Sequence, residues 1–224
     1  MREDRRARRH GQTVQEILDV AIEVMAEEGV AALSLSEVAR RMGMRPPSLY
    51  QYFPSRMAIY DALFERAAQQ ALQIAEQHRG RLAADPARAI AAAQRATFAW
   101  EEANPVLAQL LHWRPVPGFA PSERAYAPAV RQVELLAEAL RAAVDAGQLA
   151  PAAATDEGVA LYTVLMSGVI SQQLSNEPSA PAGQGRFTRL TPVALEMFFR
   201  YYAPQDEGVP DDRIVHRGRA PADG

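Results

Sequence analysis

Apolar side chains recur at helical spacing along the chain. The first apolar stripe consists of Val14, Ile17, Leu18, Ala21, Ile22 and Met25. Because these positions are three and four residues apart, they predict an amphipathic helix over residues 13–28, which Gly29 ends. The same spacing predicts further helices over residues 55–81, 86–103, 105–112, 128–146, 156–174 and 192–202. Alanine is abundant and β-branched runs are few, so the pattern predicts an all-α fold.

Three of these helices begin with a capping residue followed by proline, a pair that suits the first helical turn. The pairs are Asp85–Pro86, Asn104–Pro105 and Thr191–Pro192. On the same ground Pro128 predicts a helix start, and Gly147 predicts the end of that helix. The segment 176–185 is rich in proline, glycine, serine and alanine, and it predicts a mobile loop.

Between Gly29 and Ala62 the pattern predicts two short helices joined by a tight turn. Ser34 is placed to cap the first, and Glu37 three residues later completes a capping box. Gly43 predicts the turn, because glycine adopts left-handed backbone conformations without steric cost.

The second short helix is expected to run from Pro46 to Tyr52, because Pro54 lacks the N–H group that a longer helix would use. No acidic residue occurs between Glu37 and Asp61. A solvated helix normally carries both charge signs, so this acid-free stretch predicts a surface that faces phosphates. Helix, glycine turn and second short helix form a helix-turn-helix, whose second helix enters the major groove of DNA.

The same segment resembles the N-terminal domain of TetR-type transcriptional regulators. The resemblance rests on the order and spacing of Gly29, Ser34–Leu35, Val38–Ala39, Gly43–Met44, Leu49–Tyr50, Phe53 and Ser55–Arg56. Two positions depart from the pattern of the family, which usually has serine or threonine in place of Arg45 and lysine in place of Arg56. The first departure removes a helix cap, and the second keeps the charge.

The exposed positions of this segment are the candidates for DNA contact. They are Ser34, Arg45, Pro46, Ser48, Tyr50, Gln51, Tyr52 and Arg56. We expect Arg45, Ser48 and Gln51 to reach base edges, although an arginine at position 45 is equally suited to a phosphate. Ser34, Tyr50, Tyr52 and Arg56 are assigned to phosphates. Taken singly, each tyrosine is more typical of an ordinary surface helix.

The chain divides into four predicted regions. Residues 1–11 form an arginine-rich, flexible arm that would order along the DNA backbone or in the minor groove. Residues 12–56 form the helix-turn-helix domain, and residues 57–203 form a larger helical regulatory and dimerisation domain. Residues 204–224 are polar and interrupted by proline and glycine, which predicts a disordered tail.

Two helices of the larger domain carry apolar residues on all sides. They span residues 158–171 and 192–202. One face of each can pack on its own core, whereas the other needs a partner, and a homodimer supplies one. The resemblance implies the same dimer, built from the last two long helices as a four-helix interface. The alternative is a pair of deeply buried core helices.

Aromatic and polar residues gather in the middle of the larger domain, and the resemblance implies that this domain holds an effector pocket. The candidates are Phe98, Trp100, His112, Trp113, Phe119, Tyr126, Tyr162 and Met166. Ligand sites combine an apolar lining with a few polar groups, which this set offers. The alternative is that they are ordinary core residues, and for His112 we expect a buried, hydrogen-bonded imidazole.

Composition narrows the classes of function. The chain has no cysteine and four scattered histidines, so we expect no metal site, no cofactor and a cytoplasmic protein. The longest apolar run, residues 158–170, is too short to span a bilayer. The net charge of −3 does not argue against DNA binding, which depends on local charge.

These features predict a dimeric DNA-binding transcriptional regulator, expected to be a repressor released from an inverted-repeat operator by a small-molecule effector. One alternative is a helical adaptor that binds only protein, with a degenerate DNA-binding domain. Another is a helical enzyme, but the chain lacks a GxSxG motif and a phosphate-binding glycine loop, so we expect no catalytic residues.

Overall fold

The computed structural model of the chain describes residues 2–204 and, within them, the side chains from Arg6 onward. In this part the structure contains α-helices and short 3₁₀ helices and no β-strand, which confirms the predicted all-α fold. The helices are α1 (Arg2–Glu28), α2 (Leu35–Arg41), α3 (Pro46–Leu49), α4 (Arg56–Arg79), α5 (Pro86–Ala103), α6 (Pro105–His112), α7 (Glu123–Asp145), α8 (Asp156–Asn176) and α9 (Thr191–Tyr201). Residues 205–224, nearly all of the predicted tail, lie outside the described residues.

The N-terminal core is formed by α1, α2, α3 and the first half of α4. Its buried centre includes Ile17, Leu49 and Leu63, all with no exposed side-chain surface. Tyr60 is also fully buried, and its hydroxyl group donates a 2.6 Å hydrogen bond to the carbonyl oxygen of Val30. This bond joins α4 to the short 3₁₀ helix that precedes α2. Together with the shared core, it holds α4 against the segment that leads into the helix pair α2 and α3.

Helix α6 belongs to this N-terminal core as well, although it lies far along the chain. Val106, Leu107 and Leu110 are buried in the same cluster as the side chains of α1 and α4. The hydrophobic core of the N-terminal part therefore includes residues on both sides of the predicted domain boundary at residue 56.

The second core is built from α5, α7, α8 and α9. Phe98, Leu140, Ile170 and Phe198 are among its buried residues. Helix α4 connects the two cores, since it packs along α7 over its length, and the carboxylate of Asp61 accepts hydrogen bonds from the N–H and hydroxyl groups of Ser122 (2.7 and 2.8 Å).

Three helix boundaries differ from the sequence prediction. Helix α7 begins at Glu123, because the hydroxyl of Ser122 caps it by accepting a bond from Ala125 N–H, and Pro128 therefore lies inside the helix. Helix α3 ends at Leu49, and residues 50–52, which the sequence predicted to be helical, form a hydrogen-bonded turn. Helix α1 begins at Arg2, so the predicted flexible arm is a helical extension. Before Gly11, the sequence of residues 6–10 holds no helix breaker, and one glycine inside a helix costs only ~1 kcal/mol.

The loop that follows α8 is attached to the core by two buried side chains. Glu102 accepts hydrogen bonds from Gly183 N–H (2.7 Å) and from the hydroxyl of Thr188. Gln173 accepts a bond from Phe187 N–H (3.0 Å), and a Cβ atom at Gly185 would lie 2.2 Å from its side-chain oxygen. The expected mobile segment is therefore anchored at its later residues.

Candidate DNA interface and ligand cavity

The turn between α2 and α3 has the geometry of a helix-turn-helix. Gly43 has a φ of +63°, its N–H donates to Arg40 O (3.1 Å), and Met44 N–H donates to Ala39 O (2.9 Å). This pair of bonds is the Schellman motif, which ends a helix on a left-handed residue. Pro46 then opens α3 in a direction set by this turn.

Buried residues hold α3 from its inner side. Leu49 is fully buried and Phe53 is nearly so, as their four-residue spacing predicts. After Leu49 the hydrogen bonds tighten, with Gln51 N–H donating to Ser48 O and Tyr52 N–H donating to Leu49 O. The residue before a proline is disfavoured in helical conformation, so Pro54 ends the segment.

The outer side of α3 carries most of the predicted DNA-contact residues. Arg45, Pro46, Gln51 and Arg56 are exposed, Tyr50 has 51% of its surface exposed, and Ser48 is half-buried. Among residues 6–204, neither Arg45 nor Arg56 forms a salt bridge with a carboxylate.

The arginines of α2, in contrast, are already paired. Glu37 accepts hydrogen bonds from Arg40 and Arg41, and Arg41 also binds Glu27 of α1 (2.6 Å). These bonds lower the pKa of Glu37 to about 2. In the predicted capping box, Ser34 Oγ accepts a hydrogen bond from Glu37 N–H (3.5 Å). The reciprocal bond, from Ser34 N–H to the carboxylate of Glu37, does not form among the described residues, because that carboxylate binds Arg40 and Arg41.

Two predicted phosphate contacts are less accessible than expected. Ser34 is half-buried, and its hydroxyl lies within hydrogen-bonding distance of Ser36 Oγ (3.1 Å). The ring of Tyr52 is half-buried and stacks on His10 of α1, with ring centroids 4.9 Å apart. His10 was not a candidate, since a lone histidine in a basic segment gives no signal of stacking. This stack places the N-terminal turns of α1, with exposed Arg6 and Arg9, beside the end of α3.

A cavity of about 330 Å³ lies in the larger domain between α4, α5, α7 and α8, with the end of α6 at one side. Five of the eight predicted ligand residues line it: Phe98, His112, Tyr126, Tyr162 and Met166. The remainder of the lining is mostly aliphatic and alanine side chains from α4, α5 and α7. The small side chains of these helices leave the space that the larger ones surround.

The other three predicted residues lie outside the cavity. Trp100 and Phe119 pack against the N-terminal core, where the Phe119 ring lies 5.7 Å from that of Tyr60. Trp113 donates a hydrogen bond from its indole nitrogen to Ser171 Oγ (3.2 Å). Sequence spacing did not separate these residues from the lining, because α6 and the segment after it face both cores.

Two polar pairs lie at the cavity. The hydroxyl of Tyr162 donates to Gln94 Oε1 (3.0 Å), and burial raises the pKa of this tyrosine. His112 Nε2 lies 2.7 Å from Glu101 Oε1, as expected for a hydrogen-bonded imidazole. Glu101 is only 2% exposed, and its Oε2 atom has no hydrogen-bond partner in the part of the chain that the structure describes. The burial of Glu101 could not be predicted from the sequence, since an acid in an amphipathic helix is typical of a solvated face.

The described part of the chain contains neither a cluster of metal-binding side chains nor a helix able to span a membrane. Among its side chains, no group of three or more His, Asp or Glu is placed to hold a metal ion. Within residues 2–204, each helix is too short or too polar to cross a lipid bilayer.

Comparison with known proteins matches residues 17–63 to the family described as bacterial regulatory proteins, tetR family. Residues 17–63 are therefore similar to the domain that defines this family. The matched residues cover α2, α3 and the parts of α1 and α4 that build the N-terminal core, so the TetR domain coincides with the candidate DNA interface.

Individual proteins resemble more of the chain. The HTH-type transcriptional regulator Rv1816 of Mycobacterium tuberculosis is 30% identical over 135 residues, which cover 59% of this chain and 58% of the relative. The match thus spans little more than half the length of that relative.

Solved structures share the fold over a greater length. The crystal structure of the regulatory protein SCO4313 covers 86% of this chain and 97% of its own, at 27% identity and a TM-score of 0.70. The transcriptional regulator FadR from Bacillus subtilis, in complex with stearoyl-CoA, is 19% identical, with 83% and 97% coverage and a TM-score of 0.61. Most of the described chain therefore shares the fold of these two proteins.

Proposed function

We propose that this protein is a dimeric, ligand-responsive DNA-binding regulator of transcription that acts in the cytoplasm as a repressor. The observation that carries the proposal is the outer face of the helix-turn-helix. Arg45, Gln51 and Arg56 are exposed on a segment whose apolar side chains are buried, and the two arginines are free of salt bridges with the described carboxylates. Unpaired arginines on a fixed scaffold are suited to phosphates and guanine edges.

Individual roles follow from position. Arg45, Ser48 and Gln51 lie at the start and outer side of α3 and would read base edges. Tyr50 and Arg56 would bind phosphates, and Pro46 fixes the N-terminus of α3 beside them. Ser34 and Tyr52 would contribute their hydroxyl groups only.

The helical extension of α1 would widen the interface. The stack of His10 on Tyr52 holds this extension beside α3, and Arg6 and Arg9 are exposed on it. A basic helix in this place would follow the phosphate backbone next to the groove that α3 enters.

The partner in the proposed dimer is a second copy of this chain. Helices α8 and α9 expose large apolar side chains, with 66% of Val164, 60% of Met197 and 51% of Val193 accessible. A two-fold axis through this face would place two α3 helices ~34–36 Å apart or a multiple of that, which fits an inverted-repeat operator.

Helices α4 and α6 would couple the cavity to the DNA interface. The N-terminal half of α4 lies in the N-terminal core, and its later residues, such as Phe64 and Ala71, line the cavity. The buried residues of α6 lie in the same core, while His112 at its end lines the cavity. An effector would shift the population toward a conformer with wrongly spaced α3 helices, by no more than its difference in affinity for the two conformers. The FadR complex shows that a protein of this fold can bind a small molecule.

A gel-shift titration on the DNA upstream of the protein's own gene tests the proposal. We expect sequence-dependent binding that weakens steeply with salt. Arg56→Ala should weaken binding on the order of tenfold and lower the salt slope by about 1. Arg95→Ala, which removes an exposed arginine of α5, is the matched control and should not change it. Equal affinity for unrelated DNA, or equal effects of the two variants, would contradict the proposal.

A further inference from the structure

The carboxylate of Glu101 is an unusual group for the wall of a largely apolar cavity. One oxygen pairs with His112, while the other has no partner, and the side chain is 98% buried. A buried charged oxygen without a hydrogen bond costs free energy, so such a group is retained where something else satisfies it.

Apart from His112, no side chain of the described lining forms a hydrogen bond or ion pair with the carboxylate of Glu101. It is the only carboxylate among them. Arg79 also lines the cavity, but its guanidinium binds Glu138 on α7 (3.0 Å). The hydroxyl of Tyr162 is directed to Gln94, and the hydroxyls of Thr97 and Thr163 donate to carbonyl oxygens of their own helices. Among the buried side-chain nitrogen and oxygen atoms of the described residues, the one without a hydrogen-bond partner is thus a carboxylate oxygen, which is an acceptor.

We infer that the effector is an amphiphilic amine: an apolar body that fills the cavity, with a protonated nitrogen that donates to Glu101 Oε2. This inference rests on the proposed function, because it names the chemical class of the effector. A hydrogen bond between charged partners is about twice as strong as a neutral one, and it is stronger inside a cavity of low dielectric constant. The cavity lies at the lower end of the ~300–1,000 Å³ range of drug-sized sites, which limits the apolar body to a small one.

The same geometry disfavours acids. A carboxylate or phosphate in the cavity would meet Glu101 without a free cation to offset the repulsion, since Arg79 is already paired. A neutral alcohol would satisfy the oxygen through an uncharged and weaker donor. The order of affinity for one apolar body should therefore be amine, then alcohol, then acid.

The experiment compares decylamine, decanol and decanoate, which differ only in the head group, by calorimetric titration of the full chain at pH 7. Decylamine should bind on the order of 10- to 100-fold more tightly than decanoate. In Glu101→Gln this preference should fall about tenfold or more, while the affinity for decanol stays the same. Glu134→Gln, the same change on an exposed side chain outside the cavity, should retain the preference.

Equal affinities, tighter binding of decanoate, or no binding of any of the three would overturn the inference. The preference of the unaltered chain is a test in itself, so the inference stays falsifiable if Glu101→Gln does not fold. A preference for decylamine in a protein that binds no DNA would refute the proposed function and leave the inference standing. If the protein binds DNA and decanoate releases it, the inference about the amine would be refuted and the proposed function would stand.

Discussion

Glu37 determines which arginines of the helix-turn-helix remain available. Glu37 pairs with two cations of α2, Arg40 and Arg41, and Arg41 also joins α2 to Glu27 of α1. On the two sides of α3, Arg45 and Arg56 form no salt bridge with a carboxylate of residues 6–204. The positions of Glu27 and Glu37, outside α3, thus determine which arginines near α3 are already paired.

The ion pairs of Glu37 predict an acid-dependent contribution to stability. Arg40 and Arg41 lower the pKa of Glu37 in the folded chain to about 2, below its ordinary value of 4.5. The folded state therefore favours the ionised form, and the contribution is present above pH 4.5 and lost as the pH falls through 2. Glu37→Gln should lower the urea midpoint at pH 7 and have a much smaller effect at pH 2. An equal difference at both pH values would contradict this.

Tyr162 predicts the opposite dependence at high pH. Burial raises its pKa above the ordinary value of 10, so folding favours the neutral phenol. Stability is nearly unaffected below pH 9 and falls as the pH rises through 10, by about 1 kcal/mol between pH 10 and 11 for a group that stays protonated in the folded chain. Tyr162→Phe should reduce this loss in urea unfolding at pH 9, 10 and 11. Tyr50→Phe, at an exposed position, is the control.

At the scale of single residues, the sequence predicted the side chains whose role depends on local spacing. Leu49 and Phe53 face inward, and Tyr50 and Gln51 face outward, because four-residue spacing defines a helical face. It did not predict the Glu101–His112 pair. That pair joins two helices across a turn, and the burial of Glu101 depends on packing that no local pattern encodes.

At the scale of elements, the turn that ends α2 is the most constrained part of the DNA-binding domain. Gly43→Ala should lower the free energy of unfolding by about 1–2 kcal/mol, because a Cβ atom is strained at a φ of +63° although nothing lies within 4 Å of it. Gly80→Ala, at the end of α4, is exposed and has an ordinary negative φ, so it should be near neutral. Thermal or urea unfolding measures both, and equal effects would show that the turn tolerates a side chain.

Helix boundaries were predictable where the capping signal was local and single. Asp85, Thr155 and Ser55 cap the helices that follow them. The predicted start of α7 at Pro128 was wrong, because the capping signal of Ser122 competed with the proline signal of Pro128. Ser122 caps the helix and is held by Asp61 of α4, a contact between segments distant in sequence, and this overrides the proline signal at Pro128.

At the scale of the whole molecule, the apolar face of α8 and α9 governs the proposed assembly. Val164→Glu should yield a monomer in size-exclusion chromatography with light scattering, because a charge at the centre of the face cannot be desolvated without a partner. Val130→Glu places the same charge on α7 and should remain a dimer. A monomeric parent chain, or loss of the dimer in both variants, would refute this interface.

The two-core arrangement could be predicted only in part. Hydrophobic spacing predicted most of the helices, but the sharing of α6 between the cores depends on the path of the chain in space. Val106, Leu107 and Leu110 follow the same pattern that any amphipathic helix would show, and nothing near them in sequence identifies their partners in α1 and α4.

Because α6 supplies part of the hydrophobic core beneath α3, the proposed DNA reader, helices α1 to α4 cannot be transferred to another protein as a complete unit. A chimera that joined this reader to the body of a distant relative would expose Ile17 and Leu63 to water unless the incoming helix presented side chains of matching shape. Divergence at positions 106, 107 and 110 is therefore tied to divergence in α1 and α4, and compensating substitutions among homologues should link these two stretches.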